Sequence, residues 1–430
     1  MQKRLDSALK YFRENEEAEE RIKNGIEKNR KCDFSISISG IPDGAKASYK
    51  LKNHAFKFGA NIFMLDQFED EALNEKYREI FPKTFNLATL PFYWKDQEPI
   101  KGKTRYEKGS DPIYRRPPVD ACLEYCTEKG IEPKAHCLNY DYFRPEWLYG
   151  ASVMEHKTAL EKRFSELAAR YADKIPSWEV LNEPFNDPYD LYSEFYGAPD
   201  YASWSFIKAK EYFPNNHLIL NDHVSLGCML LPHGDIIPNR SAYYVMARDI
   251  LREKDARLDS IGFQYHSFFD KEKEAEIARY RYNPANLFRI LDEYASLGTK
   301  MQITEITLPA YSASAEDEKT QAELLRSTFR LFFSIENMEA IIYWNLNDGG
   351  ASGAHENKYF GGLLRPDLTK KPVYEALEEL LSEWHTEGEG EIRNGSLDFR
   401  GFYGDYEITI DNKTFSVSLT ESNQKINVIC

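Results

Sequence analysis

The middle of the chain, from about residue 55 to residue 383, alternates short apolar runs with longer stretches of helical periodicity. This alternation is typical of buried parallel strands, each followed by a covering helix. Eight such units over roughly 330 residues predict an α/β fold, a (β/α)8 TIM barrel. A doubly wound open sheet is the alternative, but it usually carries a glycine-rich phosphate-binding turn, and the sequence has none. The apolar runs span residues 58–63, 85–90, 133–138, 178–181, 218–220, 261–264, 301–304 and 340–344.

Both ends of the chain have a different pattern. Apolar residues at helical spacing over residues 3–29 predict one amphipathic helix that packs on its own domain. Alternating stretches at 34–38 and 47–51, on either side of a Pro-Asp-Gly turn, indicate a hairpin. The segments 406–410 and 414–419 alternate in the same way. We therefore predict a small β module made from both termini, which divides the chain into an accessory segment 1–54, a barrel 55–384 and a second accessory segment 385–430.

Charge and composition narrow the classes of partner. Asp and Glu total 70 against 55 Lys and Arg, which gives a net charge of −15. So acidic a surface repels phosphate backbones and anionic lipid, and this argues against nucleic acid or a membrane as partner. The N-terminus has no apolar signal region and no later stretch approaches the roughly 18 apolar residues of a membrane span. As written, the sequence predicts a cytoplasmic protein, or a secreted one whose signal has been removed.

The cysteines do not indicate a metal centre. Six are scattered along the chain, which favours reduced thiols. Cys122 and Cys126 are four residues apart on one predicted helix face, but no second pair of ligands accompanies them. We expect them to pack the helix, and we expect no metal and no organic cofactor.

Polar and aromatic side chains follow the predicted strands, at the edge where barrel proteins carry their sites. Glu183 ends the fourth strand and Glu305 ends the seventh, so their side chains can face each other across the barrel mouth. Two facing carboxyl groups are the minimum needed to cleave a glycosidic bond. Alone, each glutamate is better explained by a turn or an edge strand, and it is the two together that indicate a site. The other candidates, expected to bind a neutral polyhydroxylated ligand, are Trp94, His136, Asn139, Asp141, Asn182, Asn221, Gln264, His266 and Trp344.

These residues resemble glycoside hydrolase family 10, the β-1,4-xylanase family. The matching motifs are Trp-Glu-Val-Leu-Asn-Glu at 178–183, Ile-Gly-Phe-Gln-Tyr-His at 261–266, Ile-Thr-Glu at 303–305, Leu-Asn-Asp at 220–222 and Trp-Asn-Leu-Asn-Asp at 344–348, with His136 and Pro-Glu-Trp at 145–147. The resemblance implies a retaining enzyme with Glu305 as nucleophile and Glu183 as acid/base. It also implies that Asn182 contacts the sugar 2-OH and that the carboxyl groups lie about 5–5.5 Å apart. Those roles require Glu305 to be ionised and Glu183 to have a raised pKa near neutrality.

The sequence departs from the family at the positions that normally hold the sugar upstream of the cut. Tyr93 stands where the family has Lys, and Tyr-Asp-Tyr-Phe at 140–143 replaces Trp-His-Ser-Gln. Thr307 replaces an Asp beside His266, and a glycine-rich stretch at 349–355 replaces a second Trp. The prediction is therefore an endo-β-1,4-xylanase-like enzyme acting on xylan or short xylo-oligosaccharides. Two alternatives are a retaining β-glycosidase for another small β-glycoside and a carbohydrate-binding relative without turnover.

Two loop features have competing interpretations. The aromatic segment 185–196 after Glu183 can stack on a downstream sugar or simply pack as a loop. The Arg-Arg pair at 115–116 and the Arg-Tyr-Arg-Tyr stretch at 279–282 mix basic and aromatic residues, as some nucleic-acid surfaces do. In so acidic a chain we expect them to anchor loops.

Overall fold

A closed barrel of eight parallel strands forms the centre of this computed structural model, which describes residues 3–185, 193–223, 226, 241–351, 353–411 and 413–429. The (β/α)8 fold is therefore confirmed. The strands, in chain order, are β1 (Lys31–Ser39), β2 (Lys46–His54), β3 (Lys57–Asn61), β4 (Leu87–Pro91), β5 (Glu132–His136), β6 (Ser177–Asn182), β7 (His217–Asp222), β8 (Ser260–His266), β9 (Lys300–Thr307), β10 (Met338–Tyr343), β11 (Glu387–Glu391), β12 (Ser396–Phe402), β13 (Gly404–Ile410), β14 (Lys413–Leu419) and β15 (Lys425–Ile429).

The barrel runs from β3 to β10, and β10 closes on β3. All residues of β4 and β6 are buried, because helices cover a parallel sheet on the outside and side chains fill it inside. The helices are α1 (Lys3–Ala8), α2 (Lys10–Arg13), α3 (Glu16–Arg30), α4 (Glu71–Thr84), α5 (Trp94–Gln97), α6 (Val119–Lys129), α7 (Val153–Tyr171), α8 (Tyr201–Tyr212), α9 (Ala242–Arg252), α10 (Glu274–Arg281), α11 (Pro284–Ala295), α12 (Ala315–Ser334), α13 (Gly353–Asn357) and α14 (Pro372–Glu383).

The N-terminal segment folds as three helices, so the prediction of one helix over 3–29 is wrong. Asn15 explains the break before α3, because its side chain accepts a hydrogen bond from the backbone N–H of Ala18 at 2.9 Å and starts a new helix. The helix packs on its own chain as expected. Its Glu19 pairs with Arg330 of α12 at 2.7 Å, and Asn29 donates to the carbonyl of Ser334 at 2.8 Å.

The terminal strands form two further sheets. β1 lies between β12 and β15, and β2 lies between β11 and β13, with β14 at the edge. The predicted hairpin of β1 and β2 is wrong, since the two strands belong to different sheets. The predicted pair at the C-terminus does form, as β13 runs antiparallel to β14. Each of the two sheets thus contains strands from both termini. The division of the chain at residues 54 and 384 stays a prediction. No helix in the described part of the chain is both long and apolar enough to cross a membrane.

Candidate functional site

A cleft of about 920 Å³ opens at the carboxyl ends of the barrel strands. Parallel strands bring their carboxyl ends to one edge, so residues far apart in sequence meet there. Glu183 follows the end of β6 and Glu305 lies near the end of β9. Seven of the residues predicted from the sequence line this cleft: His136, Asn182, Glu183, Gln264, His266, Glu305 and Trp344.

Each of the two carboxylates accepts hydrogen bonds at both oxygens. Gln264 donates to Oε1 of Glu183 at 3.0 Å, and the Tyr140 hydroxyl donates to its Oε2 at 2.5 Å. Asn221 donates to Oε1 of Glu305 at 3.1 Å, and Nε2 of His266 lies 3.0 Å from its Oε2. Hydrogen bonds to a charged group are stronger than neutral ones, so these donors orient the carboxylates.

Asn182 connects the two groups. Its Oδ1 accepts from Asn221 at 2.8 Å and from Gln264 at 3.3 Å. A continuous network therefore runs from Glu183 through three amide side chains to Glu305. Such a network fixes the relative position of the two carboxyl groups before any ligand arrives.

A buried charged cluster lies behind Glu305. Lys134 donates to one oxygen of Glu179, and Nδ1 of His136 lies 2.5 Å from the other. Burial disfavours the charged form of His136, but the carboxylate of Glu179 has the opposite effect. The net result is that the pKa of His136 is raised above its ordinary value. The nearer oxygen of Glu305 is 3.8 Å from the same His136 nitrogen. Glu179 therefore favours the positively charged form of His136, which lies beside Glu305.

The same cluster has the composition of a metal site, since ligand atoms of His136, Glu179 and Glu305 lie within 4.8 Å of one another. Its chemistry does not fit one. A metal ligand must be a deprotonated imidazole, whereas Glu179 favours the protonated ring by raising the pKa of His136. Lys134 already supplies the positive charge that Glu179 requires.

Electrostatics at Glu305 differs from the expectation of a readily ionised group. Burial raises the pKa of Glu305 well above its ordinary value. The positive His136 acts in the opposite sense, and the negative Glu179 and Glu183 add to the rise. Ionisation of Glu305 therefore depends on the hydrogen-bond donors and positive charge around it.

Glu183 has an unusual backbone conformation. Its φ is +45°, in the left-handed region that non-glycine residues rarely adopt. Pro184 follows directly and disfavours the ordinary helical alternative. Strain of this kind costs about 1–3 kcal/mol and is concentrated at functional sites. Here it accompanies a carboxylate that the cleft leaves partly exposed.

Four of the predicted residues lie outside the cleft. Trp94 begins α5 and donates to Glu98 at 2.9 Å, with its ring edge-on to Trp147. Asn139 is fully buried and donates to Ser205 at 3.1 Å. Their side chains support the loops that carry the site. The other two are Asp141, which pairs with Arg144 at 3.0 Å, and Asn221, which is buried in the network behind the carboxylates.

Aromatic rings form one wall of the cleft, where the sequence shows its departures. Phe63, Tyr93 and Trp344 pack together as a buried cluster, and Tyr140 and Phe143 pack against it. The ring of Tyr93 lies edge-on to His136, at 5.1 Å between centroids. The sequence indicated Tyr93 and Tyr140 as departures from the family motif. It carried no signal for Phe63, which follows the end of β3 and packs in the buried cluster of this wall.

Both basic stretches that were expected to anchor loops also line the cleft. The guanidinium of Arg116 stacks on the Tyr93 ring at 3.9 Å and pairs with Asp96 at 2.7 Å. Arg115 donates to the side chain of Asn345 at 3.1 Å. Arg279 and Arg281 lie in α10, and Tyr282 follows its end. Of the aromatic loop after Glu183, residues 186–192 lie outside the described residues.

Comparisons with known proteins agree with this fold. The profile of Glycosyl hydrolase family 10 matches residues 49–380. The anti-sigma-I factor RsgI6 of Acetivibrio thermocellus is 24% identical over 92% of this chain and 46% of its own length. Endo-1,4-beta-xylanase B of Thermotoga neapolitana is 26% identical over 82% of this chain and 95% of its own.

Solved structures share the fold. Xylanase 10B from Thermotoga petrophila RKU-1, determined with xylobiose, has a TM-score of 0.59 at 22% identity and covers 76% of this chain and 94% of its own. This chain spans less than half the length of the first curated relatives that it matches. The family profile covers well over half of the chain, from β2 into α14. The chain belongs to glycosyl hydrolase family 10.

Proposed function

We propose that this chain is a retaining β-glycoside hydrolase, endo-β-1,4-xylanase-like, that acts on xylan or short xylo-oligosaccharides. The observation that carries the proposal is the pair Glu183 and Glu305, which line one cleft at the ends of two barrel strands and are joined through Asn182, Asn221 and Gln264. Two carboxyl groups held in this way supply the acid and the nucleophile that glycoside cleavage needs.

In the first step Glu305 attacks the anomeric carbon while Glu183 gives a proton to the leaving oxygen. The bond from carbon to that oxygen breaks, and a covalent glycosyl-enzyme forms. The attacking atom is a carboxylate oxygen, so Glu305 must first lose its proton. Asn221, His266 and the charge on His136 favour the ionised form. Asn182 lies between the two carboxylates, where it can meet the sugar 2-OH.

In the second step Glu183, now ionised, takes a proton from water, and the water attacks the glycosyl-enzyme from the side that the leaving group vacated. Two inversions at one carbon retain its configuration. The partial exposure of Glu183 suits this role, since the group must exchange protons with water and the leaving group.

The aromatic wall sets the choice of sugar. Where the family binds hydroxyl groups with Lys, Glu and Asn, this cleft presents Tyr93, Phe143 and the stacked Arg116. A wall of aromatic rings with few hydrogen-bonding groups discriminates weakly among hydroxyl patterns. Aromatic faces instead favour flat apolar sugar faces or aryl groups. The aromatic wall therefore favours an alternative substrate class, namely a small β-glycoside that carries a glucose or an aromatic aglycone.

The test is product analysis on xylan, xylo-oligosaccharides and p-nitrophenyl β-xyloside and β-glucoside. Proton NMR of the first product reports whether the β-anomer is retained. Glu305→Gln is the inactive control, and Glu276→Gln, an exposed carboxylate of the same cleft, is the matched control. Internal cleavage of xylan with retention supports the proposal. Turnover of the β-glucoside alone would replace xylan with a small β-glucoside as the substrate class. An α-anomer as first product contradicts it.

A second candidate is carbohydrate binding without turnover. The relative that matches 92% of this chain is named an anti-sigma-I factor rather than an enzyme. Calorimetry of xylo-oligosaccharides with the wild-type chain distinguishes the two functions. Binding without products from any of the four substrates would replace the hydrolase proposal.

A further inference from the structure

Thr307 lies two residues beyond Glu305 on β9 and pairs in register with His266 on β8. In the same ladder Gln264 pairs with Glu305. Alternate residues of a strand share one face, so all four side chains project into the barrel mouth together. The sequence of β9 thus puts a hydroxyl next to the imidazole that contacts Glu305.

Both ring nitrogens of His266 have partners. Nδ1 lies 2.9 Å from the Thr307 hydroxyl and Nε2 lies 3.0 Å from Oε2 of Glu305. The ring stacks on Phe268, with centroids 4.7 Å apart and planes 9° apart, and meets Trp344 at 5.9 Å. The ring plane is therefore fixed, and only the position of its proton is left to be decided.

The surroundings favour a neutral ring. Burial lowers the pKa of His266 to about 4, and Arg281 acts in the same direction, against the carboxylates Glu356 and Glu183. Arg281 also donates to the His266 carbonyl at 2.5 Å. The charged and titratable groups that face the ring from neighbouring elements are Glu183, Glu305, Arg281 and Glu356. A neutral imidazole carries one proton, and the partner of each nitrogen determines where it lies.

Like the Glu305 carboxylate, which accepts from Nε2, the Thr307 hydroxyl favours the tautomer with the ring proton on Nε2. The residue is buried, and within the described chain its hydroxyl has Nδ1 of His266 as hydrogen-bond partner. A buried hydroxyl needs an acceptor for its proton, and only an unprotonated Nδ1 can accept. Thr307 is also held in place, since a Cβ on Gly361 would lie 2.5 Å from its methyl carbon. The methyl group therefore packs on a bare glycine and directs the hydroxyl at the ring.

We propose that Thr307 is a positioning residue whose hydroxyl donates to Nδ1 of His266 and so places the imidazole proton on Nε2, where it donates to Glu305. The donor to the nucleophile is then a neutral N–H that cannot be lost by rotation or tautomeric exchange. The kinetic consequence rests on the proposed function, because it requires Glu305 to be the nucleophile.

The direct test is a two-bond proton–nitrogen NMR spectrum of the whole chain labelled with ¹⁵N-histidine, with the His266 signals identified by their loss in His266→Gln. At pH 7 we expect the Nε2–H tautomer, with Nδ1 unprotonated. The Nδ1–H tautomer or a doubly protonated ring in the wild type would overturn the proposal. The spectrum needs no turnover, so an inactive chain that shows the expected tautomer refutes the proposed function and leaves this inference intact.

Variants of Thr307 separate positioning from packing. Thr307→Val keeps the shape without the hydroxyl, and we expect a mixture of tautomers and a loss of about tenfold in kcat with KM within about twofold. Thr307→Ser should restore the tautomer and most of the rate. Thr307→Asp should protonate both nitrogens at pH 7, because an anion beside Nδ1 favours the imidazolium. An unchanged tautomer in both Thr307→Val and Thr307→Asp, each shown to be folded by circular dichroism, contradicts the proposal.

Discussion

The two sides of the cleft hold their carboxylates in different ways. Glu305 is buried, with 3% of its surface exposed, and side chains from β5, β7 and β8 surround it. Glu183 lies just past the end of its strand in a left-handed conformation, partly exposed, with Tyr140 and Gln264 as donors. One carboxylate is fixed by the barrel itself, and the other stands at its rim.

This difference matches the two proposed roles, Glu305 as nucleophile and Glu183 as acid/base. A nucleophile gains from fixed alignment, because a reacting atom already at attack distance needs no further ordering. An acid/base group must exchange protons with water and with the leaving oxygen, which requires access from the cleft. The burial that fixes Glu305 also raises its pKa, so its surroundings must supply donors and positive charge. The buried position of Glu305 therefore has an electrostatic cost, whereas the partly exposed position of Glu183 is accompanied by backbone strain.

The largest effect should come from removing the fixed carboxylate. Glu305→Gln keeps the size of the side chain and cannot attack, so we expect kcat to fall by about 10⁴-fold or more on every glycoside that the enzyme cleaves. Steady-state kinetics on p-nitrophenyl and unactivated substrates measures it. Glu276→Gln should stay near the wild-type rate, and equal losses in both variants would contradict the assignment.

Removing the group at the rim should have a substrate-dependent effect. Glu183→Ala should slow substrates with poor leaving groups by about 10²–10⁴-fold, since these need a proton as the bond breaks. Substrates with good leaving groups should still form the glycosyl-enzyme, seen as a burst of p-nitrophenol. Azide should then restore turnover of these substrates and give a β-glycosyl azide. Azide rescue of Glu305→Gln with the β-product instead would exchange the two roles.

Removing the Tyr140 hydroxyl, which donates to Glu183, should have a smaller effect than removing Glu183 itself. Tyr140→Phe removes the donor 2.5 Å from Oε2 of Glu183 and keeps the aromatic wall. We expect a loss of about tenfold in kcat for poor leaving groups and little change for good ones, because only the former depend on the aligned acid. Tyr142→Phe, at a ring with 57% of its surface exposed, is the matched control. Equal losses on both kinds of substrate would assign Tyr140 to sugar binding.

The barrel and its central pair follow from local sequence, and the surroundings do not. Eight apolar runs of strand length fix the barrel, because buried parallel strands need continuous apolar sequence. The strand ends then bring Glu183 and Glu305 together by topology alone. The sequence indicated Asn221 as a ligand-binding residue because it lies near the end of a strand, but its side chain turns inward to join the network. Sequence position predicts the edge of the barrel and not the side chain's direction.

Strand pairing between distant parts of the chain was the other feature that the sequence did not predict. The Pro-Asp-Gly turn between β1 and β2 indicates a hairpin locally, yet β1 pairs with β12 and β2 with β13, 350 or more residues away. Packing of Phe34 against Phe399, with centroids 5.6 Å apart, accompanies this arrangement. Such partners lie too far along the chain for a local pattern to reveal. The same holds for Phe63 on the aromatic wall.

The smallest predicted effect is on the free energy of unfolding, and it follows from the burial of Glu305. The folded-state pKa of Glu305 is raised above its unfolded value of about 4.3, so the folded chain holds this proton more tightly. The stability that the group contributes is full below pH 4.3 and is lost as pH rises through the folded-state pKa. Glu305→Gln has no such loss and should exceed the wild type by about 1 kcal/mol or more at pH 8 in the free energy of unfolding.

Urea unfolding between pH 5 and pH 8 measures this difference, with Glu276→Gln as the exposed control. The gap between Glu305→Gln and the wild type should widen as pH rises, because only the wild type has a buried carboxyl group to ionise at position 305. A gap that is the same at every pH would mean that packing, and not charge, distinguishes the two side chains. A widening gap would show that the alignment of the nucleophile is maintained at the expense of stability, as the contrast between the two carboxylates implies.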